Sequence, residues 1–478
     1  MSHLLKTLAV VSLLSTLAGC MVGPDYRAPT PTVPAAWSAP AAPTAQAVDL
    51  ARWWKTFNDP VLNSLIDRAI ANNLTLKQAQ AQLRQSRAQR GVAFATLFPT
   101  VDLTSAFTRS QASGANSGND RRGPPQRNLP GNQYQMGLDA AWEIDIFGGN
   151  RRGVEAADAG VLASAEGLNA TLVSVVAEVA LDYVQLRGYQ QQIAVAEENL
   201  KDQQKTADIT RRRKAAGFVS ALDIANADAV VASTQAEIPV LQTSARQTIY
   251  ALSILLGRDP AALTNELSKT AAIPVGPPDV PTGLPSELLR RRPDILRAEA
   301  LLHAANAQIG AATAGLFPKV NLVGSAGYQN SLSQYLTSWH SRYWSLGPSV
   351  DWQVFNAGSV LSNIEVQKAL TEQAMLTYEQ TVLTALQDVE NALIASTNEE
   401  AHRKALRDAV ADNKKAVDLS LQLYTAGEIE FLNLLDAQRS LLAAQNALVQ
   451  SDTNVSTDLV ALYKALGGGW DAQTPAKN

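Results

Sequence analysis

The chain has 478 residues, 46% of them hydrophobic and 18% charged, with a formal net charge of −4. That balance excludes the basic footprint of a nucleic-acid-binding protein. No uninterrupted apolar run of about 18 residues follows the N-terminus, so a helical membrane anchor is not expected there and is excluded on this reading.

The first 19 residues read as a signal peptide. Lys6 supplies positive charge, TLAVVSLLSTLAG the short apolar core, and small residues precede the cleavage point. LAGC at 17–20 resembles a bacterial lipobox, so Cys20 is the expected lipid-attachment residue. It is the only cysteine, and a lone cysteine closes no intramolecular disulfide. Met21 stands where an Asp would favour inner-membrane retention, which directs the chain to the outer membrane. Residues 20–59, rich in Pro, Ala and Thr over 21–50, are expected to form an extended tether.

The remainder is built twice. LFPTVDL at 97–103 recurs as LFPKVNL at 316–322, an offset of 219, and Ala88, Gln89, Gly91, Ala93 and Ala95 meet identical residues at that offset. AAGFVSALD at 215–223 pairs with TAGEIEFLN at 425–433, an offset of 210. Units of about 200 residues are too long for solenoid repeats and imply a duplicated domain. Repeat 1 is expected over 60–257, a linker over 258–284, repeat 2 over 285–467 and a C-terminal tail over 468–478.

In repeat 1 a helical composition over 60–96 stops at Pro99. Two strands are expected, at about 99–109 and 133–147, flanking a polar Gly/Pro/Asn loop over 113–133. Val101, Leu103 and Phe107 alternate with Asp102, Thr104 and Thr108. Tyr134, Met136, Leu138, Trp142, Ile144 and Ile146 alternate with Gln135, Asp139, Glu143 and Asp145. Repeat 2 shows the same pattern at about 318–328 and 343–355, where Val320, Leu322, Tyr328, Trp344, Leu346, Val350, Trp352 and Val354 oppose Lys319, Asn321, Ser345, Asp351 and Gln353. Long strands with one apolar and one polar face fit a transmembrane β-barrel; a soluble sandwich with one wet face fits the alternation too. Four strands close no barrel, since the smallest types need about eight. An open edge in lipid leaves backbone groups unsatisfied, so strands that span a membrane here imply several chains sharing one barrel.

Between Gly148 and Gly217 the composition is helical and free of proline, enough for a helix of roughly 100 Å. A shorter partner runs to about Leu256, with Ile224, Val231, Ile238, Ala245 and Leu252 recurring at sevens. Its counterpart carries Leu434, Leu441, Leu448, Val455 and Leu462 in the same register, a coiled-coil signature. Pro239 is expected to cost local hydrogen bonding in the first of these two helices or to bend it. Both hairpins turn at Ala-Gly, where glycine suits a helix C-cap, with tips near Gly217 and Gly427. RRRK at 211–214 reads as a solvated, dipole-compensating cluster.

The lipobox, GPDY at 23–26, the doubled units, LLRRRPDI at 288–295, LFPKV and LYTAGEIEFLNLLDAQRSL together resemble the TolC-like outer-membrane factors, nearest the lipoprotein branch of OprM- and NodT-type proteins. The resemblance implies an α+β membrane channel, a homotrimer with a twelve-stranded β-barrel continued by a twelve-helix coiled-coil barrel. It implies an outer-membrane exit duct of a tripartite efflux system, passing small molecules from an RND-type inner-membrane pump through a periplasmic adaptor. It places a pore constriction at Tyr424, Asp436 and Asn433. Asn433 and Ile429 depart from the family's second aspartate and its arginine, against a TolC-style salt-bridged lock. It nominates Gly217, Ser220, Leu222, Gly427 and Leu432 as adaptor-contacting tips, and outer-membrane lipid as a further partner.

Two other readings stay open: the outer-membrane duct of a type I secretion system, and a structural or adaptor lipoprotein of the periplasm. An enzyme is not expected. The four histidines are scattered, there is no HExxH, GxSxG or phosphate-binding glycine loop, and no catalytic, metal or cofactor site is nominated.

Overall fold

The computed structural model describes residues 21–38, 49–111, 130–277, 280 and 282–471; the signal segment, Cys20, most of the 113–133 loop and the end of the tail lie outside them. The helices are α1 (Pro60–Asn72), α2 (Leu74–Ala95), α3 (Gly149–Ala215), α4 (Ala221–Leu255), α5 (Thr264–Leu267), α6 (Pro285–Arg291), α7 (Pro293–Ala314), α8 (Ser359–Ala426) and α9 (Phe431–Ala465). The strands are β1 (Thr100–Ser110), β2 (Gly131–Ile144), β3 (Lys319–Asn330) and β4 (Arg342–Asp351). The order helix, strand, strand, long helix, shorter helix thus runs twice. The long helices have 67 and 68 residues and the shorter ones 35 each. One 18-residue window of α3 is apolar enough, by length and composition alone, to cross a membrane. A search for uninterrupted apolar runs passes over it because polar residues are interspersed among its alanines and valines.

The described chain divides into two compact units. The first draws on the described residues of Met1–Pro29, Arg84–Leu162 and Glu299–Thr377. It holds one antiparallel sheet in the order β1-β2-β3-β4. Register places Leu103, Leu138, Ala326 and Trp344 in one row, and Val101, Ala140, Gly324 and Leu346 in another, so these rows make an apolar band on one face. The opposite face aligns Asp102, Asp139, Ser325 and Ser345. It is knit by Thr104 Oγ1 donating to Asp139 (2.8 Å), Gln135 Nε2 donating to the Tyr343 hydroxyl (3.0 Å) and a Ser325–Ser345 hydroxyl pair (2.8 Å). Val101, Leu103, Phe107, Leu138, Trp344, Leu346 and Val350 are all exposed. A contiguous bare apolar face of this kind is the lipid-facing pattern of a barrel strand, not a half-buried sandwich.

Both LFP joints are built alike. The helix end tightens through Phe98 N–H to Ala95 O and Phe317 N–H to Ala314 O. An indole from a strand end then closes each: Trp142 Nε1 donates to Leu97 O (2.9 Å) and Trp352 Nε1 to Leu316 O (3.1 Å). The repeated LFP is therefore a turn whose free carbonyl is satisfied by a repeated tryptophan.

The segment just after Cys20 is fixed within the same unit. Val22 N–H donates to Phe147 O (3.1 Å), and Arg152, only 2% exposed, reaches Asp25 (2.7 Å), Glu155 (2.8 Å) and Val22 O (3.2 Å). Gly23, at φ +90°, lies so close to Gly310 that a Cβ would collide with its backbone. Tyr26 stacks on His303 at 4.2 Å.

The second unit draws on the described residues of Thr30–Leu83, Ala163–Ala298 and Tyr378–Asn478. Its main core gathers Trp53, Trp54, Phe57, Leu62, Ile66, Val176, Val179, Leu186, Leu252, Leu256, Val460 and Tyr463. Leu50–Phe57, expected as the end of the tether, is instead a 3-10 helix whose two tryptophans and Phe57 are buried. Asp59 and Pro60 start α1, the Asp59 carboxylate accepting from Val61 N–H (2.8 Å) and Leu62 N–H (3.0 Å). The linker contributes buried Leu263 and Leu267 around α5, and the start of the tail is held by Gly469 N–H donating to Leu50 O (2.8 Å). α4 continues as one helix through Pro239. In the RRRPDI segment Arg292 is buried, donating to Asp294 (2.7 Å), Asp388 (2.9 Å) and Ala465 O (3.2 Å).

Burial, with the nearby Glu178 charge, pushes the Asp182 carboxyl up to about 6. The fold therefore favours its protonated form. That contribution is complete below about pH 4 and is lost as pH rises through 6. Asp182→Asn is expected to stabilise the protein at pH 7 by about 1–2 kcal/mol, the partly exposed site screening the full shift, and to change little near pH 4. Guanidinium midpoints at the two pH values check this; equal shifts at both would remove the assignment.

Candidate functional site

The hairpin tips belong to the second unit and carry most of the expected site residues. α3 ends at a turn in which Gly217 adopts φ +82°, with Gly217 N–H donating to Lys214 O and Phe218 N–H to Arg213 O, both at 2.9 Å. α8 ends the same way at Gly427, φ +86°, with Glu428 N–H donating to Leu423 O at 2.9 Å. Two overlapping bonds of this form, closed by a left-handed glycine, satisfy the last helix carbonyls. Ser220 caps α4 in a reciprocal capping box with Asp223 (2.8 and 3.2 Å), whereas Glu430 ahead of α9 makes no side-chain cap.

A small core lies behind the turns: Ala207, Ala227, Val230, Tyr424, Phe431, Leu434 and Leu435. Tyr424 is at its centre and 1% exposed. Its hydroxyl meets the Thr210 hydroxyl at 3.1 Å, its ring packs on Phe431 at 5.5 Å, and the Arg213 guanidinium lies 4.6 Å above it while donating to Tyr424 O. Tyr424, expected at a constriction, is thus buried here between Thr210 and Arg213 of the first hairpin and Phe431 of the second. Asp436 and Asn433 lie on the exposed side of α9, and Gln438 on the buried side donates to Thr206 (2.9 Å).

Gly217, Ser220, Leu222, Gly427 and Leu432 are all exposed. The RRRK cluster is not uniformly solvated: Arg211 pairs with Asp208 and Asp228 (2.6 Å each) and Arg213 is taken up by Tyr424. Phe218 was not among the expected residues, although it is 74% exposed at the first turn. The signal was an aromatic directly after a turn glycine, without a helical or strand period to place it. Cys20 lies outside the described residues.

A sheet with one bare apolar face, joined in the chain to two long helical hairpins, defines the subunit of an outer-membrane channel. Known proteins agree. The sequence profile of the outer membrane efflux protein family matches residues 65–258 and 284–468. The chain is 36% identical to the antibiotic efflux pump outer membrane protein ArpC of Pseudomonas putida, over 100% of this chain and 98% of ArpC. It is 34% identical to the outer membrane protein OprJ of Pseudomonas aeruginosa, over 95% and 94%. The solved outer-membrane channel OprN superposes with a TM-score of 0.87 at 36% identity, over 94% of this chain and 100% of OprN. The chain belongs to the outer membrane efflux protein family and is an efflux channel of the outer membrane.

Proposed function

We propose that this chain is the passive exit duct of a tripartite efflux system, working as a homotrimer with a periplasmic adaptor and an RND-type inner-membrane pump. The observation that carries the reading is the sheet: its apolar face is bare, and the outer edges of β1 and β4 pair with no strand among the described residues. In lipid both edges need partners. β4 of one copy against β1 of the next satisfies them, and three copies give a twelve-stranded barrel. Two hairpins per chain then give a twelve-helix tunnel. The relatives named for antibiotic and pump-linked efflux support small molecules as cargo. Cys20 carries the lipid, and Gly217, Ser220, Leu222, Gly427 and Leu432 meet the adaptor. Asp436, exposed near the tips with Asn433 close by, forms a carboxylate ring that narrows the pore and favours cations. Tyr424 acts on the constriction indirectly, by holding the hairpins together.

Single-channel conductance in a planar bilayer tests this, comparing the wild type with Asp436→Ala. Conductance that rises, or loses cation preference, is the expected result. A conducting pore indifferent to Asp436 removes the ring, and absence of conductance from intact trimers removes the duct.

A further inference from the structure

The two turns occupy equivalent positions, 210 residues apart, yet their surfaces are opposite in charge. Residues 211–220, RRRKAAGFVS, contain four cations and no acid; residues 421–430, LQLYTAGEIE, contain two carboxylates and no cation. Arg211 and Arg213 are engaged internally, as described above. The side chains of Arg212 and Lys214 are exposed, with no hydrogen bond or ion pair among the described residues. Beside them stands Phe218, 74% exposed, at the position Glu428 takes in the second turn. The carboxylates of Glu428 and Glu430 are likewise exposed and unpaired among the described residues.

Exposed aromatics and arginines are the side chains that dominate interface centres. Solvated single charges contribute almost nothing to folding, so stability does not explain why the two turns differ. We propose that the turns are two different docking sites. Phe218 with Arg212 and Lys214 receives the carboxylate-bearing turn of a helical hairpin in the periplasmic adaptor, and Glu428 with Glu430 rejects it. The inference rests on the reading that the tips meet an adaptor. Charge across an interface chiefly sets partner choice and orientation, and like charges in the wrong pairing exclude it. In a trimer the turns alternate in sign around the ring, so sites similar in backbone fall into two classes and the adaptor's register is set.

The probes are two synthetic helical hairpins identical except at the turn, one bearing glutamates and the other lysines. Their binding to the full-length protein in neutral detergent is followed by fluorescence anisotropy. The acidic hairpin is expected to bind the wild type about tenfold tighter than the basic one, an advantage that shrinks at high salt. Arg212→Glu with Lys214→Glu removes that advantage, Phe218→Ala weakens binding, and Glu428→Gln with Glu430→Gln does not weaken it. Equal affinity for both hairpins, equal losses from both turns, or no binding overturns the proposal. Preference for phosphatidylglycerol vesicles over the acidic hairpin also overturns it, assigning the turn to a lipid surface. Dye-accumulation assays in cells separate this from the parent reading. If Leu222→Asp and Leu432→Asp abolish efflux while the charge variants keep it, the tips still dock but charge selection is wrong. If neither pair matters, both readings fall.

Discussion

Replacing Tyr424 with Ala is expected to loosen the junction of the two hairpins by about 3–5 kcal/mol, the range for emptying a fully buried aromatic site. The ring fills the centre of the tip core, and its removal also strands Arg213, which loses its cation–π partner. Tyr424→Phe deletes only the contact with Thr210 and is expected to cost about 1 kcal/mol. Trypsin supplies a direct readout, because its target side chains at 211–214 surround this core. Cleavage there is expected to accelerate strongly in the Ala variant and little in the Phe variant, with conductance rising only in the former. Unchanged cleavage and conductance in Tyr424→Ala would remove the residue's role in holding the hairpins together.

The second large effect is expected at Trp53. It is fully buried, stacks on Tyr463 at 5.1 Å and meets Trp54 and Phe57 edge-on at 6.0 and 6.2 Å. Gly468 is packed so closely that a Cβ there would come within 2.9 Å of the indole. Trp53→Ala is expected to cost about 3–5 kcal/mol, enough to take much of the protein below the threshold for reaching the membrane. Denaturant midpoints and the amount of mature protein in outer-membrane fractions check it. A shift below about 1 kcal/mol would mean that the 3-10 helix is a lining on the second unit and not part of its core.

Much of this was legible because it depends on local periodicity. Alternation from Val101 to Phe107 and from Tyr134 to Ile144 reflects strands with one apolar face, and it coincides with β1 and β2. Glycines after Ala216 and Ala426 sit where the chain must turn left-handed, and both do. What escaped depends on distant partners. Trp53 and Trp54 follow a Pro/Ala/Thr-rich stretch whose composition says tether, and only the arrival of Tyr463, Leu459 and Val460 turns them into core. Tyr424 at the end of a helix was equally free to face a pore or a neighbour, and the choice belongs to Thr210, Arg213 and Phe431. The indoles of Trp142 and Trp352 read as barrel aromatics, yet each also has a specific carbonyl to close.

The β2–β3 pairing has a consequence for the timing of biogenesis. β1 and β2 are neighbours in the chain, but Ile144 of β2 faces Val320 of β3, 176 residues later. Entropy for so long a closure grows only slowly with length, but pairing between remote segments is slow to nucleate. Until residues 319–330 are delivered, the first half of the chain offers only a two-stranded ribbon with an open edge and a bare apolar face, which is marginal in water. The sheet therefore cannot be completed before the second half of the chain has arrived. A nascent chain halted between the two halves leaves the β2 edge without its partner, however well its first helical hairpin has formed.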